Sequence, residues 1–286
     1  MKKNLLTVVA AAAIAVSAQA QQGQLVAADR SYVFSSTTDA DGIGDISYQW
    51  FRDGVAIPNA TGEIYVLPAE LAQGKHVEFK RGARSTACPG NIKYSNSFVV
   101  TFCKGLVVGS LCWADRNVDD YQTFAVRPDM YTNFFQWNRP MAWPATGGVS
   151  GWPGADQSPT WITDPCPAGW RLPTQAEFQE LHSGSVPVGG TWRGANISGN
   201  AVAGRFFGPS SASCTLPNNM DNCIFLPAVG YRNYSDGALI AQGSYGRYWG
   251  GTQYSAIYGY LLGFDSTSSN PNYNDKALGF SIRCVQ

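Results

Sequence analysis

Histidine is nearly absent from this chain: 286 residues carry two, His76 and His182, which fall in what read as separate domains. That excludes a paired-histidine or HExxH zinc centre. The sequence also lacks a CxxC pair and a GxSxG elbow, the usual marks of dithiol redox chemistry and of the α/β-hydrolase nucleophile. Charge is scarce and balanced, with 20 basic against 20 acidic residues and only 14% of the chain charged. This leaves no electrostatic case for a nucleic-acid partner or an anionic membrane surface. No long helical pattern, internal repeat or low-complexity tract is present, which argues against bundles, solenoids and doubly wound sheets. Beyond the first twenty residues no apolar run is long enough to span a bilayer.

What is present points outside the cell. Lys2 and Lys3, the apolar run from Leu5 to Val16, and Ala18-Gln19-Ala20 form the three parts of a cleavable Sec signal. The mature chain is expected to begin near Gln21, with no cysteine following the cleavage site to take a lipid anchor. An oxidising compartment permits disulfides, and the odd total of seven cysteines leaves at least one unpaired. The 31 glycines and 16 prolines suit a rigid, turn-rich exported protein.

The length suggests two domains. Residues 21–103 read as strands: Tyr48 and Trp50 alternate before an Asp53-Gly54 turn, then Ile64 and Val66, Val77 and Phe79, and Phe98, Val100 and Phe102 alternate again. Turns every ten or so residues predict an all-β sandwich. The stretch SYQWFRDGVAIPNATGEIYVL resembles the Trp-bearing strand and hairpin of bacterial immunoglobulin-like domains, although no cysteine pair lies near Trp50. Composition changes at Cys103-Lys104-Gly105. Only Trp50 precedes that boundary and eight tryptophans follow it, so residues 104–286 need an irregular α+β fold with ring N–H groups satisfied.

In this second domain VVGSLCWADRNVDD gives an opening strand and turn, and Tyr131 to Trp161 a long loop packed by its own rings. CPAGWRLPTQAEFQEL carries a short helix. Thr174 and Glu177 form a capping box, Pro173 and Phe178 a staple, Phe178 and Leu181 the buried face, and Ser183-Gly184 the stop. Phe280, Ile282 and Cys284 alternate along a terminal strand, and Cys166 with Cys284 reads as a disulfide tying the helix start to it. Cys214 with Cys223 closes a small loop, and Cys88 is paired with Cys103, Cys103 with Cys112 being the alternative. IFLPAVGYRN, Tyr248-Trp249, and Tyr260, Leu262 and Phe264 read as core strands, and Asp265 to Asp275 as a polar loop.

Catalytic candidates are few. Glu177 and Glu180 are explained by capping and a solvent face, and His182 by the helix C-terminal dipole or simple exposure. Asn270-Pro271-Asn272 with Asp265, Asn274 and Asp275 offers oxygens for calcium, which needs 6–8, but turn chemistry accounts for them and no metal is expected. Tyr245, Arg247, Gln253, Tyr254, Tyr258 and Tyr273, interleaved with Gly, Ser and Asn, have the composition of a binding surface.

CPAGWRLPT, YWGGT and GFSIRCV, in that order, resemble the FISUMP (Fibrobacter succinogenes major paralogous) domain of Bacteroidetes surface proteins over residues 104–286. The resemblance implies a C-type lectin-like fold. That fold also hosts formylglycine-generating enzymes, which need paired cysteines, whereas Cys284 is the only cysteine of the last sixty residues. The segment YWGGTQYSAIYGYLLGFDSTSSNPNYNDKALGFSIRCV is similar to the variable region of retroelement-diversified proteins. Carried over, the ligand-binding positions are Tyr245, Arg247, Gln253, Tyr254, Ser255, Tyr258, Asp265, Ser266, Asn272, Tyr273, Asn274 and Asp275. The expectation is a cell-surface, adhesin-like, non-enzymatic protein needing no cofactor. It would bind a protein or glycan on a host or bacterial surface, or alternatively pack against a fimbrial or cell-envelope neighbour.

Overall fold

The computed structural model describes residues 14–16, 24–27, 32–35, 45–67, 76–95, 97–197 and 199–286. Of the expected export signal only Ile14–Val16 is among them, as a short strand parallel to Tyr32–Ser35. The rest of the signal, its cleavage site included, lies outside the described residues. The chain divides into two compact units, Met1–Lys104 and Gly105–Gln286.

The first unit is all-β. Strand Ile46–Arg52 turns back through Asp53 and Gly54, whose φ of 47° and 80° are the two left-handed angles a type I′ hairpin turn requires. Together with Val55–Ala56, His76–Ser85, Lys93–Tyr94, Phe98–Cys103 and Gln24–Ala27 it forms one sheet, and Ile14–Val16, Tyr32–Ser35 and Ile64–Leu67 form a second. Tyr65 of the second sheet lies 6.0 Å from the Trp50 ring and 6.1 Å from that of Phe79 in the first, so the sheets face each other across aromatic side chains. Trp50, buried, donates its indole N–H to the Gly62 carbonyl at 3.0 Å. The expected Cys88–Cys103 bond is absent. Cys88 sits in the exposed turn after His76–Ser85 with a free thiol, while Cys103 is buried, and it and Cys112 are both disulfide-bonded.

The second unit is mostly β-sheet with one short helix, α1, Gln175–Ser183. Its capping box is complete: Glu177 N–H donates to Thr174 Oγ1 at 3.2 Å and Thr174 N–H to Glu177 Oε2 at 2.7 Å. Nine residues cannot hold a helix in water. Phe178 and Leu181 dock it by packing with Tyr248, Leu262 and Phe264, each burial contributing roughly 1.5–3 kcal/mol.

Cys166 is bonded to Cys284, Cα–Cα 6.0 Å, and Cys214 to Cys223. Around the first bond the terminal segment is buried on both sides, Ser281 and Arg283 as fully as Ile282 and Cys284. The expected polar/apolar alternation therefore fails here. Arg283 is satisfied by Asn117 Oδ1 and the carbonyls of Ala114 and Phe225, each at 2.9 Å, and burial pushes its guanidinium down to about 10.

Two further expectations are corrected. The segment Tyr131 to Trp161 contains strands Phe134–Gln136 and Ala142–Trp143, which join Gly279–Phe280, Tyr231–Arg232 and Leu239–Ile240 in a five-stranded sheet. Its rings do pack on one another, with Trp143 4.9 Å from Trp152 and Trp137 5.2 Å from Trp161. The segment Asp265 to Asp275 is a tight turn followed by strand Ser269–Asp275. This is the edge of a sheet ordered Gly246–Gln253, Tyr258–Phe264, Ser269–Asp275.

Candidate functional site

That edge sheet carries the candidate site, and its register decides what shares a face. Arg247 pairs with Gly263, and Gly263 with Asn270; Trp249 pairs with Leu261, and Leu261 with Asn272; Gly259 pairs with Asn274. Residues opposite one another in a ladder point the same way. One face therefore holds Arg247, Asn270, Asn272 and Asn274, with the asparagines about 7 Å apart along the strand. The other holds Tyr248, Leu262 and Phe264 against α1 and, farther along, Tyr258, Tyr260 and Tyr273.

The expected single tyrosine-rich surface is thus divided. Tyr254 stacks on Tyr273 with centroids 3.7 Å apart, and Tyr258 and Tyr260 flank them at 5.7 Å and 5.4 Å. Tyr260, expected in the core, is only half-buried in this cluster. The hydrogen bond with Tyr273 is the largest influence raising the Tyr254 hydroxyl above its ordinary value.

On the Arg247 face lies a shallow groove of about 180 Å³, lined by Tyr245, Arg247, Leu261, Gly263, Phe264, Asp265, Ser268, Asn270, Asn272, Tyr273 and Asn274. Gly263 is the reason it is hollow, because the middle strand places no side chain between Arg247 and Asn270. Arg247 lies 4.2 Å over the Tyr231 ring and 5.7 Å from Phe280, and among the described residues its guanidinium makes no hydrogen bond or ion pair. Burial pushes its pKa below the ordinary range.

The groove's remaining polar groups are oriented by their own backbone. Asn272 Oδ1 accepts Tyr273 N–H at 2.8 Å and Asn274 Oδ1 accepts Asp275 N–H at 2.9 Å, which leaves the Nδ2 donors free to face outward. Pro271 has no N–H. Three successive outward positions of the edge strand therefore offer no donor to another strand, a device that keeps a sheet edge from pairing. Asp265 Oδ1 accepts from Thr267 N–H and Oγ1 and from Ser268 N–H at 2.7–2.8 Å, and these bonds, the Thr267 side chain's first, hold its carboxyl below the usual range. Asp275 Oδ1 accepts from Ala277 N–H at 2.8 Å. Among the described residues no group of three or more His, Cys, Asp or Glu is placed to hold a metal.

Donors behind the strand fix it in place. His182, expected to serve the helix dipole, donates from Nε2 to the Ser269 carbonyl at 2.9 Å, and Ser269 Oγ donates to Gly189 O at 2.8 Å. Arg205 donates to the carbonyls of Gly189 and Asp265 at 2.8 Å and 2.9 Å. Glu180, expected on a solvent face, accepts from Ser110 Oγ at 2.6 Å, and Glu177 adds an ion pair with Arg171 to its cap.

Of the expected binding residues, the structure brings Tyr245, Arg247, Asp265, Asn272 and Asn274 into the groove, and Tyr273 borders it while its ring stacks on Tyr254 across the strand. Tyr254 and Tyr258 belong to the tyrosine cluster, Ser255 Oγ accepts Tyr258 N–H in the intervening turn, and Ser266 is exposed beside Asp265. Gln253 turns inward, its Oε1 accepting from Lys276 Nζ at 3.0 Å, and Asp275 holds the strand end. Sequence reasoning missed Gly263 and Leu261 and weighed Asn270 only as a calcium oxygen. The available signal was a glycine inside the Tyr260, Leu262, Phe264 strand, since such a glycine marks a close approach or a missing wall.

Residues 215–285 match the family described as "Domain of unknown function (DUF8237)", about a quarter of the chain and the part that contains the whole groove. No curated protein matches the chain. No protein of solved structure matches it either.

Proposed function

We propose that the protein is an exported recognition module in which a C-type lectin-like domain of the FISUMP type, following an immunoglobulin-like sandwich, presents the Arg247 groove to a ligand outside the cell. Three disulfides support an oxidising compartment. Among the described residues no helix is long and apolar enough to cross a membrane. Recognition is favoured over formylglycine-type catalysis because Cys284 is bonded to Cys166 and the free thiol, Cys88, belongs to the other unit.

The observation that carries this reading is the Arg247 guanidinium, half out of water over Tyr231 and forming no ion pair or hydrogen bond among the described residues. A desolvated charge without a partner is costly, and a ligand acceptor relieves the cost. The alternative, a fimbrial or envelope subunit, has the exposed Tyr254–Tyr273 stack in its favour. Assembly by strand addition at Ser269–Asp275 is opposed by the blocked edge.

Screening residues 21–286 on glycan and surface-protein arrays, beside Tyr245→Ala and Tyr254→Ala variants, tests this. A ligand lost with Tyr245→Ala and kept with Tyr254→Ala places recognition in the groove. The reverse result moves it to the tyrosine cluster, and an absence of ligands in either variant and the native protein favours the structural subunit.

A further inference from the structure

The hydrogen bonds already made by the groove's polar groups specify its ligand more closely. The carboxylate and amide oxygens are largely occupied: Asp265 Oδ1 by its own turn, and Asn272 and Asn274 Oδ1 by the next backbone N–H. What remains toward solvent is a row of donors, the Nδ2 groups of Asn272 and Asn274 and the side chain of Asn270, running beside the uncompensated Arg247. The single carboxylate in the lining, Asp265, has its Oδ1 held by its own turn and lies in the field of Arg205 behind it, which leaves Oδ2 as its one remaining acceptor. A surface that offers donors and one permanent positive charge, and few acceptors, selects an acceptor-rich anion.

Resting on the reading of the groove as the ligand site, we propose that this protein binds acidic glycans, with Arg247 gripping the carboxylate of a uronic or sialic acid unit and the asparagine row donating to neighbouring hydroxyls. A glycan is favoured over an acidic peptide by the same strand. An extended peptide laid along Ser269–Asp275 would seek backbone donors, and Pro271, Tyr273 and Asp275 present none, because the latter two N–H groups are capped by Asn272 and Asn274. Sugar hydroxyls need only side-chain donors. The groove's modest size suits one or two rings lying on the surface, with Tyr245 at the rim supplying an amphipathic ring.

The experiment is a titration of the native protein with oligosaccharides of galacturonate, glucuronate and N-acetylneuraminate, each beside its methyl ester, which keeps the shape and removes the charge. The expected result is that at least one acid binds about tenfold or more tighter than its ester. That preference disappears in Arg247→Gln. In Asn272→Asp acid binding falls by a similar factor, since this change keeps an oxygen for the Tyr273 N–H and replaces the amide donor with a negative charge. Unchanged urea midpoints in both variants exclude misfolding as the cause.

An acid and ester that bind equally, both lost in Gly263→Val, overturn the charge selection and leave the groove as the ligand site. Failure of every acidic glycan to bind overturns the inference outright. Ligands found on the arrays and unaffected by Gly263→Val overturn the groove reading as well.

Discussion

The Arg247 guanidinium lies 4.2 Å above the Tyr231 ring and lines an open groove without an ion pair among the described residues. Stacking fixes the fork's position without neutralising it, so the charge is held in place before any ligand arrives. The strands that carry and face it are tied in by the buried residues of the terminal segment and by the bond from Cys284 to Cys166.

That bond closes a loop of 118 residues, for which chain entropy predicts a contribution of about 4–5 kcal/mol. Replacing both Cys166 and Cys284 by Ala is expected to lower the urea midpoint accordingly. The Cys214–Cys223 loop spans 9 residues, and its removal should shift the midpoint less. Equal shifts in the two double variants would refute the entropic account.

Thiol mapping checks the cysteine assignment directly. Alkylation of the native, unreduced protein should label Cys88 alone, because it is exposed and unbonded while the other six are disulfide-bonded. Mass spectrometry showing label at Cys103 or Cys112 would contradict the structure.

Glu177 couples stability to acid. Burial opposes its ionisation, but the hydrogen bonds from Arg171 and Thr174 more than offset this and hold its carboxyl below the ordinary 4.5. The unfolded state therefore binds the proton more readily. The stabilisation is fully present above that value and is lost as pH falls through the lower folded-state value. Urea midpoints measured between pH 7 and pH 3 should fall less steeply in Glu177→Gln than in the native chain, and Thr174→Ala should cost about 1 kcal/mol at neutral pH. Parallel pH profiles would show that the pair with Arg171 contributes nothing.

Calcium is expected to have no effect. The Oδ1 atoms of Asp265, Asn272, Asn274 and Asp275 already accept backbone N–H groups, and the oxygens left fall short of the 6–8 that calcium requires. Neither EDTA nor added calcium should change the melting temperature or ligand binding, and a shift in either would restore a metal site at Asp265 to Asp275.

Much of the scaffold was legible because its signals are local. Thr174 and Glu177 are three residues apart, Asp53-Gly54 is a dipeptide, and the aromatic pair Tyr248-Trp249 reads as core whatever surrounds it. The groove was legible only in part. Asn270, Pro271, Asn272 and Asp275 are turn formers, and only the tertiary ladder with Tyr258–Phe264 makes them a strand. Composition grouped the tyrosines with Arg247, whereas alternation sends Tyr258, Tyr260 and Tyr273 to the opposite face. Arg205, Arg232 and Arg283 are each buried and bind backbone carbonyls, a role that spacing along the chain does not reveal.

Gly263→Val is the most direct test of the central claim. The glycine has an ordinary strand conformation, and an added Cβ meets only the Leu261 Cδ1 tip at 3.2 Å and the Asn270 carbonyl oxygen at 3.8 Å, so the fold should tolerate valine within about 1 kcal/mol. The new side chain fills the space between Arg247 and Asn270. With ligands first identified on the arrays, the account predicts that Gly263→Val keeps the native urea midpoint and loses binding by at least about tenfold. Undiminished binding by a folded Gly263→Val protein would contradict it.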